Sequence, residues 1–360
     1  MFPMKRSPCV QPRHLAPILF SFSALLLTGT FMLPLARAEI INAAPGTTIG
    51  QIERLSPAAR NLLEDGAVIE VLASGFTWSE GPVWVPWANQ LVFSDVPENK
   101  AYRWREGHGV DLFLDPSGAS RRGPDISTQG SNGFAVHKGR ILLCQVGDRR
   151  IASLDTEGKT FSTIVDRYDG KRFSAPNDLC IDRRGNIYFT DPPYGLVSEK
   201  QREIPFNGVY RLAPNGQVTL VTRELERPNG IALSPDDKTL YVTNSHAPNP
   251  IVLAVALTKD GAAKGPGRVV HSVADLVKKY PNKGSLDGMK VDQQGNLWMG
   301  GVVGVIVVSK EGVRLAHLVT GHSTGNCCFG GPDGRTLFIT SDNMLCRIRT
   351  KTSDGHFATK

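Results

Sequence analysis

Soft metal ligands, surplus charge and helix signals are all scarce in this chain. Of six cysteines, Cys9 lies in the N-terminal segment expected to be cleaved, which leaves Cys144, Cys180, Cys327, Cys328 and Cys346, an odd number with no Cys-x-x-Cys spacing. Strand-like surroundings such as "ILLC" and "NMLC" point to buried thiols and against a disulfide framework or a zinc site, with room for one bridge in an oxidising compartment. The net charge of +7 includes Lys5, Arg6, Arg13 and Arg37; without them 37 basic residues face 34 acidic ones, a balance of +3. Nothing in that balance argues for a nucleic-acid partner. A content of 41% hydrophobic and 21% charged residues over 360 positions excludes a disordered chain and suits one large domain or two small ones.

The long apolar run is confined to the N-terminus. Lys5, Arg6 and Arg13 precede "LAPILFSFSALLL", and Ala36-Arg37-Ala38 supplies small residues at a cleavage site. Pro17, Gly29 and Pro34 interrupt the run, and no stop-transfer charges follow, which favours a cleaved signal peptide over a membrane anchor. No cysteine stands at the cleavage point to take a lipid. The expected organisation is a signal peptide over residues 1–38, an extension with a short helix over 39–65, and one domain over 66–360. The mature protein is expected to be exported, periplasmic or secreted, without a membrane attachment.

What the sequence has in plenty is one repeated unit. The stretches "EGPVWVPWANQLVFSD", "NGFAVHKGRILLCQ", "NDLCIDRRGNIYFTD", "NGIALSPDDKTLYVTN", "DGMKVDQQGNLWMGG" and "NCCFGGPDGRTLFITS" each open on a polar residue. A short apolar strand, a turn rich in Gly, Asp, Asn or Lys, and a β-branched or aromatic second strand follow. The leading residues Glu80, Asn132, Asn177, Asn229, Asp287 and Asn326 are 52, 45, 52, 58 and 39 positions apart. A period near 50 with further strand-like runs predicts an all-β fold, a six-bladed β-propeller of four-stranded antiparallel blades. "AVIEVLAS" (Ala67 to Ser74) and "MLCRIRT" (Met344 to Thr350) are the natural strands to close the ring. Helix is expected only over Leu55 to Asp65, capped by Ser56, and over Ser272 to Tyr280.

In a propeller the first strand of each blade lines the axis, so six oxygen-bearing side chains at one register converge on one small volume. Buried carboxylates there require a counterion. Two acids, Glu80 and Asp287, with amide oxygens and no Cys or His form a hard donor set for one divalent cation. Ca²⁺, Mg²⁺ and Mn²⁺ suit it, and Zn²⁺ stays open because carboxylates bind it too. The plainer reading, that "NG" and "DG" merely make turns, does not explain Glu80, a poor turn former.

These motifs together resemble the gluconolactonase/senescence-marker-protein (regucalcin) family of metal-dependent six-bladed propeller lactonases. The likeness runs from "SEGPVW" through "APNDLCIDRRGNIYFTDPPYG", "RPNGIALSPDDKTLYVTNS" and "LDGMKVDQQGNLWMGG" to "NCCFGGPDGRTLFITS". "FTDPPYG" and "CFGGPDGRTLFIT" resemble its bacterial gluconolactonase branch. The resemblance implies a calcium-type metal held by Glu80, Asn229 and Asp287, with Asn177 beside it as ligand or substrate-binding amide, and Asp287 as proton donor and acceptor. It also implies hydrolysis of a lactone, with the metal polarising the carbonyl and activating water. Such a reaction needs no Ser-His-Asp arrangement, and no serine nucleophile elbow is expected.

Asn132 and Asn177 are then candidate substrate-binding amides. Tyr194 of "DPPYG" and His246 of "NSHAPNP" lie in loops that follow second strands, where they can reach substrate; His322 is a weaker candidate. Asp95 and Asp191 read as blade-turn residues, and Trp84 and Trp298 as packing between blades. Animal members acting on sugar lactones carry an Arg two residues before the "ND" asparagine, where this chain has Ala175, so their substrate contacts do not transfer. Rival readings are a phosphotriesterase-type hydrolase on the same metal, and a non-catalytic periplasmic binding propeller with a structural ion. The expected partner is a small lactone or ester; the oligomeric state is left open.

Overall fold

A computed structural model describes residues 39–121, 127–155 and 160–356. The signal peptide expected over 1–38 lies outside the described residues. Six antiparallel sheets follow one another around an axis, each built outward from an axial first strand. The first strands neighbour one another in chain order, and the sixth returns to the first.

Blade 1 comprises Ser79–Val85, Gln90–Asp95, Lys100–Arg105 and Gly109–Leu114. Blade 2 comprises Ser131–His137, Arg140–Gln145, Arg150–Leu154 and Phe161–Val165. Blade 3 comprises Leu179–Ile181, Ile187–Asp191, Gly208–Leu212 and Val218–Thr222. Blade 4 comprises Pro228–Leu233, Thr239–Asn244, Ile251–Ala256 and Arg268–Ser272. Blade 5 comprises Met289–Val291, Leu297–Gly301, Gly304–Val308 and Arg314–Val319. Blade 6 takes Thr324–Gly330, Thr336–Ser341 and Met344–Arg349 from the C-terminal side, and Ile69–Ser74 from before blade 1 as its fourth strand. That last pairing, Leu345 with Ala73 and Arg347 with Glu70, is the expected clasp. It joins distant parts of the chain in one sheet and so leaves no open gap in the ring.

Residues before the clasp add edges. Ile41–Asn42 and Thr48–Ile49 pair with Ile69–Ser74, and Gln51–Arg54 becomes a fifth strand on blade 5. The expected first helix is only a 3₁₀ helix, Pro57–Asn61, although Ser56 caps it by accepting Ala58 N–H at 3.3 Å. Leu62 and Leu63 leave that turn for the core between blades 5 and 6, which ends the helix. The second is a short α-helix, Ala274–Lys279. Among the described residues no helix is long and apolar enough to cross a membrane.

The core lies between blades. Trp84 of blade 1 stacks on Phe338 of blade 6 at 5.6 Å, and Trp298 of blade 5 meets Phe329 of blade 6 edge-on at 5.4 Å. Both tryptophans are packing residues, as expected, and truncating either to Ala costs about 3–5 kcal/mol. Cys144, Cys180, Cys327, Cys328 and Cys346 are all free thiols, with only Cys180 partly exposed.

Candidate active site

In blades 1, 3 and 4 the backbone entering the axial strand is held by the end of that blade's second strand. Asp191 accepts Ser174 N–H at 2.9 Å and Ala175 N–H at 2.7 Å. Asp95 accepts Thr77 N–H at 2.9 Å and Trp78 N–H at 3.1 Å, and Asn244 accepts Arg227 N–H at 2.8 Å. Each tie ends two residues before an axial side chain: Asn177, Glu80 and Asn229. Asp95 and Asp191 are therefore structural anchors. Burial raises Asp191 to about 7 despite the two N–H donors.

Hydroxyls on the second strands fix the next blade. Ser94 Oγ donates to Asn132 O at 2.9 Å, Thr190 Oγ1 to Asn229 O at 2.7 Å, and Thr243 Oγ1 to Asp287 O at 2.6 Å. Their signal in the sequence is the repeated Ser/Thr before the terminal polar residue in "FSD", "FTD" and "VTN".

The axial register differs from expectation in blade 6. Gly133 N–H donates to Asn177 O at 2.8 Å, and Gly288 N–H donates to Gly325 O at 2.7 Å. Gly325, not Asn326, thus stands at the level of Asn177. Asn326 matches Asp178 instead, since each donates its backbone N–H to a threonine hydroxyl on its own second strand at 3.2 Å. The ring holds five oxygen-bearing side chains and one glycine. Bulges in these hairpins, at Glu80/Val83 and Thr324/Asn326 among others, shift the count by one and hide the register from a turn-based alignment.

Glu80, Asn132, Asn177, Asn229, Asp287 and Tyr194 together line one cavity of about 340 Å³. Glu80, Asn132, Asn177 and Asn229 are buried, and Asp287 keeps part of its surface open. Tyr194 lies under the Arg227 guanidinium, 5.6 Å from the ring centroid; burial raises its hydroxyl above the usual tyrosine range, and the Ser245 and Asn229 side chains oppose that rise. His246 is not on the wall; its neighbour Ser245 is, held by a hydrogen bond to Leu286 O. Trp78, Gln129, Ser245 and Ser285 also line the cavity, and the sequence reading missed them. Ala175 lies on the wall with Val96, Pro97 and Val146, so that side is apolar.

His322 is away from the cavity wall, its Nδ1 3.2 Å from Asp342 Oδ2. The letters Gly-x-Ser-x-Gly do occur once, at Gly321-His322-Ser323-Thr324-Gly325. They lead into the axial strand of blade 6 rather than from a strand into a helix, so they form no nucleophile elbow.

Two acids dominate the electrostatics. Glu80 is raised by burial and by the charge of Asp178, opposed by hydrogen bonds from Gly81 N–H at 2.9 Å and from the Trp78 and Asn326 side chains. Asp287 is raised by burial and then by Glu80, against a hydrogen bond from Asn229. Among the described residues no Lys, Arg or His lines the cavity to compensate them. Nor do three His, Cys, Asp or Glu side chains there converge as a metal cluster, so any ion depends on carboxamide oxygens as well. Two desolvated carboxylates, three carboxamides and no soft donor fit a hard divalent cation.

A ring of axial strands presenting carboxylates and carboxamides to one cavity defines a six-bladed propeller with a polar axial site. Within that class, the chain belongs to the SMP-30/gluconolactonase/LRE-like family, whose model matches residues 78–343. It is 38% identical to a gluconolactonase of Zymomonas mobilis, over 97% of this chain and 98% of that one. It is 25% identical to a regucalcin of Xenopus laevis, over 75% and 85% of the two chains. A solved structure described as a gluconolactonase, XC5397 of Xanthomonas campestris, is 34% identical and superposes with a TM-score of 0.74, covering 86% of this chain and 98% of that one.

Proposed function

We propose that this protein is a metal-dependent lactone hydrolase, opening a small cyclic ester such as a sugar lactone to the hydroxy acid. The observation that carries the reading is the convergence of Glu80 and Asp287 with Asn132, Asn177 and Asn229 on one cavity, in a chain 38% identical to a gluconolactonase.

Glu80, Asn229 and Asp287, with Asn177 beside them, would hold a divalent cation, which when bound would supply Lewis acidity for the carbonyl oxygen and charge balance for the two acids; Ca²⁺ is the first candidate, ahead of Mg²⁺, Mn²⁺ and Zn²⁺. Asp287, the more open of the two acids, is the base that takes a proton from the attacking water. Water adds to the carbonyl carbon, the ring C–O bond breaks, and the proton returns to the departing ring oxygen. Asn132 and Asn177 orient the ester by their amides, and Tyr194 with Ser245 offers hydroxyls to the substrate's polar edge. The apolar wall at Val96, Pro97, Val146 and Ala175 limits competing water.

Chelator-treated protein should open aldonolactones, followed by proton release, only after a divalent ion is restored. Asp287→Asn should lose the rate while keeping its fold. Failure to open any lactone with any of the four ions overturns the reading, and turnover of a paraoxon-like phosphotriester alone replaces it. The apolar segment 1–38 supports an exported location, so the protein recovered outside the cytoplasm should begin at Glu39.

A further inference from the structure

One level below the axial oxygens the channel carries almost no side chains. Gly81, Gly133, Gly230 and Gly288 follow their axial residues directly, and only Asp178 of blade 3 and Asn326 of blade 6 bear side chains at that level. Blades 3 and 6 stand opposite each other in a six-membered ring, so the two meet across the axis. Asn326 Nδ2 donates to Asp178 Oδ2 at 3.2 Å.

The glycines are the room this contact occupies. A Cβ on Gly133 would stand 2.5 Å from Asp178 Oδ1, and one on Gly288 would stand 2.0 Å from Asn326 Cγ. The pair is held from several sides: Asp178 Oδ1 accepts Leu179 N–H at 2.8 Å, and Asn326 Oδ1 accepts Cys327 N–H at 2.9 Å. The same strand lies against the Glu80 carboxylate: a Cβ on Gly325, the residue before Asn326, would stand 2.4 Å from Glu80 Oε1, and the Asn326 side chain favours the ionised form of Glu80, so one segment of blade 6 adjoins both an axial acid and the acid below it.

Lys290, on the axial strand of blade 5, is the principal positive charge acting on Asp178, and its Nζ donates to Met289 O at 3.0 Å. From the other side Lys290 feels Asp354, in a C-terminal segment that bridges to Asp292 at the foot of the channel. Neither Asp178 nor Asn326 lines the cavity, so each reaches the site through Glu80 and the axial strands.

We propose that Asp178 and Asn326 are a positioning pair that aims the Glu80 carboxylate at the axial cavity and thereby sets the affinity of the site for its cation, with Lys290 as the countercharge that lets Asp178 stand there. The proposal rests on the cation reading given above. A group that orients a ligand typically changes metal affinity about 10–100-fold when removed.

Calorimetric titration of chelator-treated protein with Ca²⁺ tests it, using wild type, Asp178→Asn, Asn326→Ala and the double variant, each checked for folding by circular dichroism. Each single change should weaken Ca²⁺ binding about 10–100-fold. The double change should cost no more than the larger single one, because both break the same link. Unchanged affinity in either folded variant, losses that add, or a loss in Asp178→Asn with none in Asn326→Ala overturns the pair. If Asp178→Asn does not fold, Asn326→Ser carries the test by itself, and unaltered affinity there has the same force. Lactone turnover measured in parallel separates the two readings: Ca²⁺ binding with the expected coupling but no lactone opening removes the function and leaves the pair. Wild type that binds none of Ca²⁺, Mg²⁺, Mn²⁺ or Zn²⁺ removes both.

Discussion

A Cβ on Gly325 would lie 2.4 Å from Glu80 Oε1 and 2.7 Å from its Cδ, so the glycine of blade 6 is the space in which the carboxylate of blade 1 sits. Gly325→Ala should fold with a loss of about 1–3 kcal/mol from overpacking. Its divalent-ion affinity should fall further than that stability loss explains, since Glu80 must turn away. Thermal denaturation without metal and calorimetry with Ca²⁺ measure the two effects, and full affinity in the variant would contradict the account.

Tyr194 lines the axial cavity with Ser245 and Asn229 while its ring stays under Arg227. Tyr194→Phe keeps the ring and deletes one hydroxyl. With the lactone substrate, kcat/KM should drop about tenfold, or about 1.4 kcal/mol, with little change in melting temperature. A loss of three orders of magnitude in kcat alone would instead make Tyr194 a proton donor.

Asp191 carries a pH signature. Its ordinary value of 3.8 is raised to about 7 in the fold by burial. Between those values the folded protein keeps a proton that the unfolded chain has released, so the contribution of Asp191 to stability is larger at low pH and declines as pH rises through that range. Asp191→Asn has no such titration. The stability of wild type minus that of Asp191→Asn should therefore shrink from pH 5 to pH 8 in urea denaturation. A difference that is constant or grows with pH would mean that the two N–H groups of Ser174 and Ala175 keep Asp191 ionised throughout.

Much of this architecture is legible in the chain. Six hairpins, their period, the closing strands and five of the axial side chains follow from alternation and turn residues, which act over a few positions and leave a local mark. Glu80 stood out because no turn requires it. Blade 6 differs from the repeat by one residue because a bulge adds a position without altering composition, and Asn326 makes as plausible a strand start as Gly325. Ser245 rather than His246 lies on the cavity wall for a similar reason: within a loop, the residue that turns inward carries no periodic signal.

The contacts that give the site its character come from closure. Asp178 and Asn326 are 148 positions apart and meet only because a ring of six sets the third blade opposite the sixth. The same closure brings Gly325 against Glu80, and it leaves two acids facing a cavity with no basic residue on its described wall. Local chemistry in the chain specifies strands, turns and the oxygen atoms that begin them. Which of those atoms share one small, desolvated volume depends on long-range packing of the blades, and that volume is where their charges and hydrogen bonds acquire chemical consequence.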